Sequence, residues 1–401
     1  MVETHNAQTS SQRLILFSLL WLSGVCLRLT VLAIPPVVPQ LHTDLHLTET
    51  GLGWLSSLPS MLFAIAAVPA SLLIARFGLV SALLVGLLLT AIGSAARGAI
   101  PSVAFLFAST IVMGAGVSIM QPTMPPLARA WFPKRIGFAT AVYTNGLLVG
   151  EILVVALTIP LVLPLVHESW RLNFVVWSAP VLLTALLVAL WAPRAGSAQS
   201  AETLAKRRWW PDWRHPLIWQ LGLILGCVNA TYFVSNAFLP DYVIAAGRSD
   251  LVSPALTAIN IGQLPASFLM LAFAGRLVTR PWVYVVTGLL SLFSVVAMLA
   301  MHGYWIVFWA GFLGFTNAVT LVLALALPSV LSAPDDVHRT SAGMFTISYS
   351  WAMLLSIVAG WVWDATHSPV AGFIPVALCG LIIAVFASTV RHAGRGQPIS
   401  G

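Results

Sequence analysis

Residues 13–38 read RLILFSLLWLSGVCLRLTVLAIPPVV, an apolar run with one cation, Arg28, well inside it. A helix crosses a bilayer with roughly 20 mostly apolar residues, so this run is long enough to span. It lacks a small-residue cleavage site and continues beyond signal-peptide length, so it reads as a retained first helix. Similar runs recur along the chain. The pattern predicts helices over 13–38, 51–75, 80–98, 102–127, 136–165 and 171–192, then over 216–245, 253–275, 281–301, 304–330, 340–364 and 369–391. The expected fold class is therefore all-α integral membrane, with twelve transmembrane helices.

Composition agrees. The chain is 59% hydrophobic and 8% charged. Soluble domains carry about 25% charged residues, so a water-facing surface cannot be built from this sequence. The formal charge of +7 does not point to nucleic acid, because the basic residues sit singly at helix ends apart from Lys206, Arg207 and Arg208. Cys26, Cys227 and Cys379 lie in apolar runs without metal-ligand spacing and read as packing residues. His42 and His46 have i, i+4 spacing but lack a further ligand, so no metal is expected. There is no Gly-rich GKS or GKT loop and no defensible Ser-His-Asp set. No cofactor and no enzymatic activity are expected.

The placement of the 19 Lys and Arg sets the orientation. Fifteen fall on the side of the two termini; Arg97, Arg171 and Arg248 fall on the other, and Arg28 lies within helix 1. The positive-inside bias then places both termini in the cytoplasm, with the chain multi-pass in the inner (plasma) membrane. An offset of about 200 residues pairs Cys26 with Cys227, Pro39 with Pro240 and Pro126 with Pro328. It also brings VPASL (68–72) near LPASF (264–268). Two pseudo-symmetric six-helix bundles follow, an N-terminal one over 1–192 and a C-terminal one over 216–401, joined by a cytoplasmic linker over 193–215. Repeats of this kind place a binding site at their interface near the midplane.

The chain resembles the major facilitator superfamily over nearly its whole length, and within it the cyanate and 2-nitroimidazole transporter branch. The marks are residues 24–28 followed by PVVPQL (36–41), MQPTMP (120–125) with Trp131-Phe132-Pro133, and Trp170-Arg171 opening helix 6. Between helices 2 and 3 the superfamily carries a Gly, an Asp and two basic residues; here ARFGLV (75–80) keeps only the Arg and Gly. The resemblance implies a secondary active transporter working by alternating access, without nucleotide hydrolysis. It implies a cavity lined by helices 1, 4, 7 and 10. It also implies a small solute, an anion such as cyanate or a nitrogen-containing compound. The expected partners are that solute, lipid and protons, with the protein a monomer. Two rivals remain open: multidrug or metabolite efflux, and a non-transporting membrane sensor.

Arg28 is the sharpest single residue. A guanidinium at mid-membrane costs at least about 2.5–3.5 kcal/mol, which disfavours a lipid-facing position. Either it is a neutralised structural Arg or it binds an anion in the central cavity with its planar fork of donors. The repeat offset pairs it with Asn229. Asn229, Tyr232 and Asn236 share one face of helix 7 by their spacing, either as a wet surface or as interhelical hydrogen bonding. Glu151 is the one carboxylate placed well inside a helix. It either neutralises Arg28 or couples protons to transport. Gln121 on helix 4 is a solute contact or a partner for the kink at Pro122. Asn317 and Tyr349 are further substrate-binding candidates, and Tyr143, Asn145 and Trp351 are weaker ones. Gly146 and Gly150 form a GxxxG match that reads as close helix packing.

Overall fold

The structure, a computed structural model, describes residues 10–47, 49–193 and 208–393. Most of the stretch expected as a linker, including Lys206 and Arg207, lies outside them. The described residues form helices α1 (Ser10–Leu29), α2 (Glu49–Phe77), α3 (Leu79–Ala96), α4 (Val103–Trp131), α5 (Ile136–Leu165) and α6 (Trp170–Trp191). The second set is α7 (Pro216–Ala245), α8 (Ser249–Leu277), α9 (Pro281–Ala300), α10 (Tyr304–Leu331), α11 (Val337–Thr366) and α12 (Ile374–Ala393). The first eleven are long and apolar enough to cross a membrane, and α12 adds a shorter apolar segment.

The pairing of helices repeats between the sets. In the first, α1 packs on α5 and α6, α3 on α4 and α6, and α2 on α4. In the second, α7 packs on α11 and α12, α9 on α10 and α12, and α8 on α10. Contacts between the sets obey the same rule, with α2 against α11 and α5 against α8. These are two pseudo-symmetric six-helix bundles.

Small residues set the closest approaches. A methyl on Gly150 of α5 would come within 2.5 Å of the Val25 carbonyl oxygen of α1, and one on Gly146 would strike the Trp21 carbonyl. The GxxxG match is thus a crossing within one bundle, and it carries Glu151 beside α1. Gly78 separates α2 from α3 with φ +82°, a backbone region glycine enters without penalty.

Three helices depart from the sequence expectation. The first does not run unbroken over 13–38. Helix α1 ends at Leu29, residues 30–34 are irregular, and a short helix follows over Val38–Leu45. Pro35 and Pro36 supply no N–H, so carbonyls one turn upstream lose their helical partners. Helix α5 contains a π-helical turn at Thr158–Val162. Helix α8 is jointed at Gly262, between Val252–Ile261 and Gln263–Leu277. Two side chains at helix ends are buried. Trp170 donates to Asp44 Oδ2 at 2.7 Å. Arg97, at the end of α3 away from the termini, is wholly buried.

Candidate functional site

Three adjoining cavities lie between the bundles, and Arg28 lines all of them. The largest, about 140 Å³, is walled by residues at the end of the bundle away from the termini, including Val31, Ile34, Pro35, Pro59 and Ser60, and by Glu151, Tyr232 and Phe233. A smaller one, about 30 Å³, lies on the terminal side among Gln121, Tyr143, Asn229, Phe345 and Tyr349. The third, about 20 Å³, adds Gln263 and Asn317. Among these lining residues Arg28 is the only cation and Glu151 the only carboxylate.

The two charges face each other, with Arg28 Nε 4.0 Å from Glu151 Oε2. Both are largely buried, with side chains 13% and 9% exposed. That separation is an ion pair without a hydrogen bond, and Arg28 Nε has no hydrogen-bond partner among the described residues. The close crossing of α1 and α5 brings the pair together. Glu151 Oε1 also accepts a hydrogen bond from the Tyr232 hydroxyl, which belongs to the other bundle. A single carboxylate therefore touches a cation of its own half and a hydroxyl of the opposite half.

Polar side chains extend the network. Tyr232 Oη also lies 3.1 Å from Asn260 Oδ1. Asn260 donates to Asn236 Oδ1 at 2.9 Å, and Asn236 donates to the Tyr232 carbonyl at 2.9 Å. Tyr349 donates to Gln121 Oε1 at 2.9 Å across the bundle interface, and its hydroxyl also interacts with Arg28. Asn229 donates to Ser348 Oγ at 2.8 Å. Asn145 accepts from Trp21 Nε1 at 2.9 Å and donates to Ser267 Oγ at 3.0 Å, again bridging the bundles.

The structure therefore gathers Arg28, Gln121, Glu151, Asn229, Tyr232, Asn317 and Tyr349 around three adjoining cavities that share Arg28. Asn236 lines none of these cavities; it supports Tyr232 and Asn260 from behind. Sequence reasoning missed Asn260, Gln263 and Phe233. Asn260 and Gln263 are polar residues within an apolar span, a signal that was present but not followed. Phe233 has no such signal, because one aromatic among many does not announce which wall it faces.

On the terminal side the bundles are closed. Arg129, near the end of α4, donates to the Ser329 and Ser332 carbonyls at 2.7 and 2.6 Å. Ser329 returns a hydrogen bond to the Pro125 carbonyl at 2.7 Å. Just after the undescribed stretch, the Trp209 carbonyl accepts from Ser71 of α2 at 2.7 Å. The Trp210 carbonyl accepts from Arg339 of α11 at 2.8 Å.

A sequence profile of the Major Facilitator Superfamily matches residues 20–280. The chain belongs to that superfamily. Two bacterial relatives align along almost their whole length with this superfamily transporter. A 2-nitroimidazole transporter of Escherichia coli K12 is 25% identical over 98% of this chain and 98% of its own. The cyanate transport protein CynX of the same organism is 28% identical over 93% and 95%. Among solved structures, the E. coli fucose:proton symporter FucP superposes with a TM-score of 0.72 at 17% identity, covering 95% of this chain and 98% of that one. The superfamily member described here shares that fold, which is the fold of transporters rather than enzymes.

Proposed function

We propose that the protein moves a small anion, such as cyanate, or a similarly small nitrogen-containing solute, by alternating access. The observation that carries this reading is a chamber of about 140 Å³ with one guanidinium in its wall. Sites for drug-sized ligands occupy about 300–1,000 Å³, so the chamber suits a compact solute better than the varied cargo of an efflux pump. Cyanate and 2-nitroimidazole, named for the two relatives, are both compact.

In this reading Arg28 recruits the negative or electron-rich group of the solute. Tyr232, Asn229, Gln121, Tyr349 and Asn317 set size and orientation. Asn236 acts through Tyr232. Glu151 holds Arg28 and Tyr232 together until an anion competes for the guanidinium, and protonation of the freed carboxylate couples transport to protons. We assign 1–192 and 216–401 to the two moving halves and 193–215 to the linker. The side of the termini is taken as cytoplasmic because most Lys and Arg fall there, and we read the chain as a multi-pass monomer of the inner membrane.

The test is uptake of radiolabelled cyanate and of 2-nitroimidazole by proteoliposomes. Wild-type protein is expected to take up at least one, and Arg28→Ala to lose about 100-fold of that uptake, the scale set by losing a charge-assisted bidentate contact. Arg28→Lys keeps the charge without the planar fork and is expected to fall between the two. Uptake that survives Arg28→Ala but is lost on replacing Phe233 and Tyr349 points instead to an aromatic efflux-type cavity. No uptake of either compound removes the solute assignment.

A further inference from the structure

The interruption of α1 lies directly after Arg28, and Thr30, Ala33 and Ile34 within it are buried inside the protein. Irregular backbone is tolerated there only if its polar groups find partners within the protein or line a cavity. The partners are present. Arg97 Nη1, from the far end of α3, donates to the Thr30 carbonyl at 2.8 Å. Asn173 Nδ2, on α6, donates to the Ala33 carbonyl at 3.3 Å. The interrupted segment is also the wall of the largest cavity, contributing Val31, Leu32 and Ile34 beside Arg28.

Arg97 is an expensive choice of donor. It is 0% exposed, and its Nε and Nη2 have no hydrogen-bond partner among the described residues. No ion pair involves it among those residues. The ring of Phe174 lies 5.2 Å from its guanidinium carbon, which offers a cation–π contact. Burying a cation with so little compensation is costly. A neutral amide serves a carbonyl three residues further on, so bonding alone does not call for a charge. A charge-assisted hydrogen bond is roughly twice as strong as a neutral one. The position that needs the stronger bond is the carbonyl two residues beyond Arg28.

We propose that Arg97, seconded by Asn173, is a positioning residue that holds α1 broken after Leu29 and thereby aims Arg28 into the chamber. Arg97 touches no solute; it acts through the backbone of residues 30–33. The role of Arg28 rests on the function proposed above, whereas the pinning of the break does not, and the experiment separates them.

The first arm is independent of solute. Leu32→Cys places a thiol on the cavity wall, and its reaction rate with a water-soluble maleimide is followed in purified full-length protein. The native Cys26, Cys227 and Cys379 are buried, and the parent protein supplies their background. Adding Arg97→Leu is expected to raise the rate about tenfold, the consequence of losing one charge-assisted hydrogen bond, and Arg97→Lys to restore most of it. The second arm measures uptake of cyanate, or of 2-nitroimidazole where that is the compound transported, without the added cysteine. Arg97→Leu is expected to raise KM about tenfold with Vmax within about twofold, because loss of aim weakens binding before it slows turnover.

A lower Tm with both readouts unchanged overturns the proposal, since Arg97 would then be structural only. A changed labelling rate with unchanged KM also overturns it, because the break would not govern Arg28. If Arg97→Leu does not fold, Asn173→Ala is read by the same two measurements and the same criteria. If wild-type protein transports neither cyanate nor 2-nitroimidazole, the solute assignment fails, and the labelling arm alone decides whether Arg97 pins the break.

Discussion

The bundles meet differently on the two sides of Arg28. Away from the termini they face each other across side chains around open space, with the Arg28 guanidinium and the Glu151 carboxylate from one half and the Tyr232 phenol and the Phe233 ring from the other. At the terminal ends of the helices they meet through backbone carbonyls, with Arg129 capping the end of α10 and Ser329 answering to Pro125. The last carbonyls of a helix have no partner within it and favour a cation nearby, so Arg129 fills a ready-made acceptor site. A side-chain network can be rearranged by a proton or a competing anion. A capped helix end does not titrate and opens only when the helices separate. In the proposed cycle the outer contacts therefore respond to solute, and the inner contacts hold until the halves rock.

The largest effect is expected from breaking the carbonyl side. Arg129→Ala removes two charge-assisted hydrogen bonds at once, each of about 1.5–3 kcal/mol. The population open on the terminal side is expected to rise at least about tenfold, since each 1.4 kcal/mol is a factor of ten. Spin labels on the terminal ends of α4 and α10 would report this as a longer-distance population. An unchanged distance distribution would show that the linker contacts at Trp209 and Trp210 suffice to keep that side shut.

The side-chain half is sharpened by Glu151→Gln. Glutamine keeps an oxygen for Tyr232 and removes the charge that competes for Arg28. Anion binding is expected to tighten about tenfold, the size of one such contact, while turnover falls because Arg28 is no longer reclaimed by its carboxylate. The pH dependence of uptake is expected to flatten across the range in which wild-type activity varies. A pH profile identical to wild type would sink proton coupling through Glu151 and leave it as a counter-ion.

These differences also explain what sequence reading could and could not reach. Membrane helices are read from unbroken apolar runs, so twelve spans and their pairing into two halves were visible. Arg28 and Glu151 stood out because ionisable residues inside such runs are rare. The burial of Arg97 was out of sight because counting charges sorts residues by distance from a helix end and cannot see that Thr30, just past α1, and Phe174 of α6 close over this one. The interruption of α1 was missed because the apolar run continues through Pro35-Pro36 to residue 38, while the effect of the prolines falls on carbonyls upstream. The capping of α10 by Arg129 was out of reach, since backbone acceptors exist at every position and only the fold decides which is left unpaired.

The smallest effect belongs to Asn236, and it tests how far the chamber extends. Asn236 shares a helix face with Asn229 and Tyr232, yet only those two line the cavities. Its amide bonds to the Tyr232 carbonyl and receives Asn260, so it steadies the wall and leaves solute contact to others. Interhelical hydrogen bonds in membrane proteins average about 0.6 kcal/mol, which corresponds to less than a threefold change in affinity. Asn236→Ala is accordingly expected to shift the KM for uptake by less than about threefold, with Asn260→Ala matching it because the two share one hydrogen bond. The double substitution is expected to cost no more than either single change. A loss from Asn236→Ala as large as that from Tyr232→Phe would mean that solute reaches one helical turn beyond the chamber, and that the side-chain region is deeper than the cavities now show.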